Sequence, residues 1–143
     1  RPDLAAARLA RGDDIRRRAG SLPAKTGALS DGRRQFVEGR DPPGIATFGP
    51  YWTIPPGRYR ATVRYAAPPD SAGHAMDVAI NGGATLLGRS DLPGQGGTPQ
   101  APDRQAVSID IEVPSVADAF EIRTYFSGVG RLEIYDISLA PRP

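Results

Sequence analysis

From Arg58 to Tyr65 the side chains alternate without a break. Tyr59, Ala61, Val63 and Tyr65 fall on one side, and Arg58, Arg60, Thr62 and Arg64 on the other. A period of two over such a run predicts a β-strand with one face buried and one in water. Pro56-Gly57 just before it predicts a tight turn, since Pro presets φ and Gly accepts a positive one. The same alternation recurs downstream. Val107, Ile109, Ile111 and Val113 oppose Ser108, Asp110 and Glu112, and Phe120, Ile122, Thr124 and Phe126 oppose Glu121, Arg123 and Tyr125. Over Arg131–Leu139 the apolar phase runs Leu132, Ile134, then Ile137 and Leu139. The three-residue step predicts a β-bulge near Tyr135-Asp136. Shorter strands are expected over Gln35–Glu38, Ile45–Ile54, Ala75–Ile80 and Ala84–Gly88. Asn81-Gly82 is a strong hairpin signal between the last two. About eight short strands separated by turns predict an all-β, two-sheet antiparallel β-sandwich.

The N-terminal end reads differently. Asp3 to Ala19 is rich in Ala and Arg, with Asp3 as a plausible N-cap and Gly20 as a stop, and predicts a helix. Residues 21–32 are polar and turn-rich. The expected division is therefore a helical arm and linker over 1–32 and a sandwich over 33–143. The arm is expected to be the tail of a longer helix, such as a coiled coil that joins copies of the chain, or a helix docked on the sandwich.

Composition narrows the chemistry. The chain has 143 residues, enough for one domain with a real core, and its 17 Gly and 15 Pro cluster between apolar runs. It contains no cysteine, which removes disulfides and thiolate sites. No apolar run is long enough to insert in a membrane as a helix. The net charge of +2 is uneven. Residues 1–40 hold ten Lys/Arg against five Asp/Glu, and residues 41–143 hold eight against eleven. The strand-rich body is thus mildly acidic and would repel phosphate, which argues against nucleic acid as its partner. The opening Arg1 suggests a piece of a larger parent chain.

Several residue groups could carry chemistry. Asp110 and Glu112 share a face at roughly 6.5–7 Å by strand rise, the spacing of some paired catalytic carboxylates. Two acids on one strand are more simply a solvated face. His74 is the single histidine. It has no second His or Cys for a His-rich metal site and no G-x-S-x-G motif beside it. Tyr51 and Trp52 must face opposite ways. If Ile54 is core, Trp52 points inward with it and Tyr51 outward, so Trp52 is either core or a stacking platform. Tyr125 shares its face with Arg123 and Glu121, an arrangement that suits a hydroxylated ligand or a cross-strand ion pair under a ring. Arg58, Arg60 and Arg64 form a basic stripe that is either solvated or a surface for acidic sugars.

Three segments in order, Gly57-Arg58-Tyr59-Arg60 through Arg64-Tyr65-Ala66, then Asp77-Val78-Ala79-Ile80-Asn81-Gly82, then Arg131-Leu132-Glu133-Ile134-Tyr135-Asp136-Ile137-Ser138-Leu139, resemble the jelly-roll carbohydrate-binding modules. These are galactose-binding-domain-like sandwiches similar to the family 6 and 35 modules. The version Gly49-Pro50-Tyr51 followed by Ile54-Pro55-Pro56-Gly57-Arg58-Tyr59 looks like modules appended to bacterial glycosyltransferases and methyltransferases. The resemblance covers Arg33 to Leu139. It implies a non-catalytic module of a larger protein that binds a glycan or polysaccharide. Tyr51, Trp52, His74, Arg123 and Tyr125 are the candidate glycan-binding residues. It also implies a structural Ca²⁺ near the chain ends, with Glu38 and Asp136 at roughly the ligand positions. The alternative expectation is a structural or protein-docking sandwich that binds no sugar.

Overall fold

The computed structural model describes residues 2–98 and 101–143. Two antiparallel sheets face each other across one apolar core. The first contains β1 (Ile15–Arg18), β2 (Ala28–Ser30), β3 (Arg33–Val37), β6 (Gly57–Ala66), β9 (Arg104–Val113) and β11 (Arg131–Pro141). Its order is β2-β3-β11-β6-β9, with β1 also paired to β11. The second contains β4 (Gly44–Ile45), β5 (Pro50–Ile54), β7 (Ala75–Ile80), β8 (Thr85–Asp91) and β10 (Ala117–Phe126). Its order is β4-β10-β7-β8, with β5 also on β10. A helix α1 (Pro2–Ala10) precedes β1. No helix among the described residues is long and apolar enough to cross a membrane.

The alternating strands lie where the pattern requires. Tyr59, Ala61, Val63 and Tyr65 of β6 are buried, as are Leu132, Ile134, Ile137 and Leu139 of β11. Ile134 pairs with Tyr65 and Asp136 with Arg64, so Tyr135 is the extra residue of a bulge, at the expected place. The basic stripe of β6 is neutralised from both neighbouring strands. Arg58 faces Glu112, Arg60 bonds Asp110 at 2.9 Å, and Arg64 bonds Asp136 at 2.9 Å. Asp110 is also met by Arg142 at 3.3 Å. The hydrogen bond from Arg60 holds its carboxyl below the usual range, so the Asp110/Glu112 pair is an ion-paired surface.

The first 32 residues depart from the expected arm. The helix ends at Ala10, not Ala19, because Gly12 takes φ +85° and turns the chain. Ile15–Arg18 then forms a strand, registered Ile15 to Leu139 and Arg18 to Asp136. The Arg-rich segment has good helix propensity, but β11 offers an open ladder edge and Ile15 fills the core, so tertiary pairing overrides propensity. The helix buries Ala5 and Leu9 in the same core. It is therefore docked on the sandwich through Ala5 and Leu9, while Leu4 stays exposed. The expected strand Ile45–Ile54 is two strands joined by an irregular segment that still follows β10. Ala46 N–H bonds the Thr124 carbonyl, and Ile122 N–H bonds the Gly49 carbonyl. Part of the long loop before β9, Pro99 and Gln100, lies outside the described residues.

One buried polar cluster ties the loops together at one end. His74 is fully buried, stacked on Phe126 at 5.5 Å between centroids. Its Nδ1 accepts from the Ser127 backbone N–H, so Nε2 carries the proton and donates to Ser71 Oγ. Ser71 in turn donates to the Val129 carbonyl and accepts from the Arg131 N–H. Gly130, at φ +67°, leaves no room for a Cβ, which would come within 2.7 Å of Ser71 Oγ. His74 is among the residues expected to meet a glycan. The loop instead folds back over β10 and seals the ring from any solute.

Burial depresses the His74 pKa from its ordinary 6.5 to about 4. The unfolded chain therefore takes up the proton first. The contribution of this group is intact above its ordinary pKa, declines as pH falls through the window down to about 4, and levels off below. Thermal melts of the wild type should show a midpoint that drops between pH about 7 and about 5. His74→Gln should flatten that slope. An identical slope in the variant would assign the loss to other groups.

Candidate functional site

The second sheet carries a cleft of about 450 Å³ over β10. Its floor includes Glu121 and Arg123, and its walls come from Lys25, Thr26, Pro42, Pro43, Gly44, Ile45, Phe48 and Tyr51. Local chemistry explains each wall. Asp41 accepts from the backbone N–H of Gly27 at 3.0 Å and of Val37 at 2.9 Å, and from Arg40 Nε at 3.0 Å. Burial opposes ionisation there, but the Val37 N–H, Arg40 and the Gly27 N–H outweigh it and hold the carboxyl below its usual range. One carboxylate thus fixes both the loop bearing Lys25 and Thr26 and the loop bearing Pro42 and Pro43. The Phe48 N–H bonds the Pro23 carbonyl, which fastens the aromatic wall to the first of these loops.

Tyr51 is half exposed and meets Phe48 edge to face, with centroids 6.4 Å apart. Its backbone sits at φ +68°, a conformation that costs a bulky side chain of order 1 kcal/mol or more and persists only where the surroundings impose it. Partial burial, and then the Glu121 carboxylate, push the Tyr51 phenol pKa up, so the ring is a neutral hydroxyl donor at any ordinary pH. Glu121 is buried and accepts from the Gly49 N–H at 3.3 Å.

Beneath the cleft lies a buried clamp. Arg123 Nε and Nη2 reach the two Asp77 oxygens at 2.7 and 2.9 Å, and Tyr125 donates to Asp77 at 2.8 Å. Tyr125 is held so firmly that burial, and then its bond to Asp77, raise its pKa to about 12. The pair is bidentate, the strongest common geometry for guanidinium and carboxylate. Its consequence is orientation. Arg123 is fixed with one side on Asp77 and the rest against the cleft.

Of the five residues expected to meet a glycan, the structure brings Tyr51 and Arg123 to this cleft. Tyr125 stands behind Arg123, spending its hydroxyl on Asp77. Trp52 faces the other way and is buried, stacked on Phe120 at 6.5 Å, with the Arg17 guanidinium 5.8 Å above its ring. His74 is sealed in the core. Sequence reasoning missed Lys25, Phe48, Asp77 and Asp41. Asp77 and Phe48 carried a signal. Asp77 is out of phase with Val78 and Ile80, hence on the face of Arg123, and Phe48 lies three positions before Tyr51 across a Gly-Pro turn.

The expected calcium pair does not assemble. The Glu38 carboxylate accepts from the Gly130 N–H at 2.8 Å, and Asp136 bonds Arg64. Glu38 therefore lies beside Gly130, six positions from Asp136 along β11, or roughly 20 Å by strand rise. No group of three or more His, Asp or Glu side chains suited to a metal occurs among the described residues. Calcium needs six or more oxygens, and these two carboxylates cannot share one ion.

No protein-family model matches the chain, and no curated protein matches it. Solved structures do. The C-terminal CBM6 of LamC, a marine laminarinase from Zobellia galactanivorans, superposes with a TM-score of 0.58 at 18% identity, over 90% of this chain and 99% of that one. A CBM6 from Clostridium stercorarium in complex with cellobiose gives 0.58 at 20% identity, over 90% and 94%. A CBM35 from Cellvibrio japonicus gives 0.54 at 20% identity, over 92% and 95%. The fold is that of carbohydrate-binding modules of the CBM6 and CBM35 types. At this level of identity the likeness is one of architecture, and the expected sandwich is present across nearly the whole chain.

The Asp77 clamp predicts a measurable cost. Asp77→Ala strands Arg123 in a half-buried site, and its urea midpoint should fall by the equivalent of about 3 kcal/mol. Tyr125→Phe, which removes one hydrogen bond, should cost only about 1 kcal/mol. Equal losses would mean that the charge pair is not the dominant contact.

Proposed function

We propose that this chain is a non-catalytic glycan-binding module and that the cleft beside Tyr51 is its binding site. The observation that carries this is the half-exposed Tyr51 ring, held at a strained φ, standing over an oriented Arg123 and Glu121. Aromatic rings stack on the apolar faces of sugars, and fixed charged groups hydrogen-bond the hydroxyls around the ring edge. A volume of about 450 Å³ suits one or two sugar units. The architecture supports the reading. Solved structures that share it include modules in complex with cellotriose and with cellobiose, and a β-1,3-glucan-binding module from Bacillus halodurans. We take β-linked glucans as the first ligands to test.

The site holds a single exposed ring with few fixed polar groups, so weak affinity per site is expected, raised by repetition within a larger protein or along a polymer. The residues at the cleft include no acid free to act on a bond with a second one opposite. Glu121 is buried on a backbone N–H, and Asp77 is spent on Arg123 and Tyr125. The proposed role is therefore to hold a partner enzyme or surface on its polysaccharide.

A glycan array run with and without calcium, followed by calorimetry on the best neutral oligosaccharide, tests this. Tyr51→Ala should weaken binding roughly tenfold or more, whereas Tyr51→Phe should retain most of it. Binding to no glycan would favour a protein-docking role, and neutral-glycan binding untouched by Tyr51→Ala would place the site away from this cleft.

A further inference from the structure

A second cleft, larger than the one beside Tyr51, lies elsewhere. It measures about 640 Å³ and opens where α1 and β1 cross the edge of β5. Trp52 forms its floor, Leu4 one wall, and Arg8, Asp14, Arg16 and Arg17 its polar lining. Most other arginines of the β-strands face a carboxylate, as in Arg58–Glu112, Arg60–Asp110 and Arg123–Asp77, although Arg18, Arg34 and Arg104 do not. Among the described side chains, which begin at Leu4, no carboxylate lies within 4.0 Å of Arg8, Arg16 or Arg17. Two of them are nonetheless oriented. Arg8 Nε donates to the Asp14 carbonyl at 3.4 Å, and Arg17 Nη1 to the Arg16 carbonyl at 3.4 Å while its guanidinium overlies Trp52 at 5.8 Å. All three side chains line the cleft.

Charge on an edge strand discourages pairing with other chains, and a single arginine would serve that purpose. Three unpaired guanidiniums around one aromatic-floored cleft do more. They create a field that favours an anion, and the planar forks match carboxylate or sulfate oxygens. The other walls restrict what that anion can be attached to. The exposed Leu4 offers apolar surface, which suits the face of a sugar ring, while Trp52 lies buried beneath the Arg17 guanidinium. The Asp14 side chain is an acceptor that would repel a bare phosphate polymer but would take hydrogen bonds from hydroxyls.

We propose that the α1–β1 cleft is a second carbohydrate subsite, selective for a sugar bearing a carboxylate or sulfate. It stands on its own residues and does not depend on the Tyr51 cleft. Both sources share one chemistry, a ring with hydroxyls and a fixed negative charge. The basic excess of residues 1–40 thereby acquires a role distinct from the neutralised stripe of the sheet.

Trp52 is the only tryptophan in the chain, so intrinsic fluorescence reports on this cleft directly. The full chain should be titrated with a hexagalacturonate, a sulfated hexasaccharide, a neutral glucan hexamer, oligo-dT and vesicles containing an anionic lipid. A saturable change in Trp52 emission with one or both charged hexasaccharides, weakening as salt is added, is the expected result. The neutral hexamer, oligo-dT and vesicles should leave that emission unchanged. Arg16→Gln/Arg17→Gln and Arg8→Gln should each weaken the response roughly tenfold or more, with unchanged thermal melts. The double lysine variant, which keeps the charge, should retain part of it. Tyr51→Ala should leave the response intact, so failure here and failure of the Tyr51 cleft are read separately. No emission change up to about 10 mM charged hexasaccharide, a response equal to that of oligo-dT or vesicles, or full binding by the glutamine variants would overturn the proposal.

Discussion

Strand β11 is paired along both edges, and everything else in the molecule is placed relative to it. On one side β6 runs beside it from Glu133 to Pro141. On the other, β3 covers Arg131 to Ile134 and β1 covers Ile15's partner Leu139 back to Asp136. The bulge at Tyr135 falls where the second edge passes from one partner to the other. An extra residue there bends the strand and increases its twist, which lets two short strands share one edge. With Leu132, Ile134, Ile137 and Leu139 all buried, a slip of one residue would turn the whole inner set outward. The register of β11 is therefore the constraint from which the rest follows.

The first sheet solves a charge problem that this constraint creates. Its outer face carries a dense set of arginines, and most of those on β3, β6 and β11 are met by an acid. Glu133 is the most enclosed of these acids, with Arg33 at 2.9 Å and Arg131 at 3.0 Å. The second sheet keeps fewer charges but buries them more deeply, in the clamp of Asp77, Arg123 and Tyr125. An enclosed pair adds little net stability over an apolar one, yet leaving either partner alone is costly. Such pairs hold a side chain in one orientation. In the first sheet this flattens the field over the outer face, and in the second it aims a guanidinium into the Tyr51 cleft.

Most of the fold was legible because alternation is a local record of which side of a strand meets the core. Arg58–Ala66, Ala75–Ile80, Gln105–Val113 and the bulged last strand could be read directly. Ile15–Arg18 could not. With one apolar residue in four it has no pattern, and its Ala- and Arg-rich context favours helix until β11 supplies a ladder. The site was legible in part. Tyr51 and Trp52 had to diverge, and they do, but which ring faced a cleft depended on what covered each. His74 sat in a loop with every sign of exposure. Its burial arises from Ser71, Ser127 and Val129, which no spacing rule connects to it.

The sequence by itself determined the two-layer sandwich, the inward phase of its strands, the bulge near Tyr135 and the outward turn of Tyr51, because each depends on neighbours a few positions away. Only the tertiary structure decided which charges stay free. The partners of Arg123, Arg60 and Arg64 lie 46, 50 and 72 positions away along the chain. Coulomb pairing is set by distance in space, and spatial proximity across a sheet is fixed by strand order, which alternation does not encode. The same strand order left the arginines around Trp52 without acids opposite them.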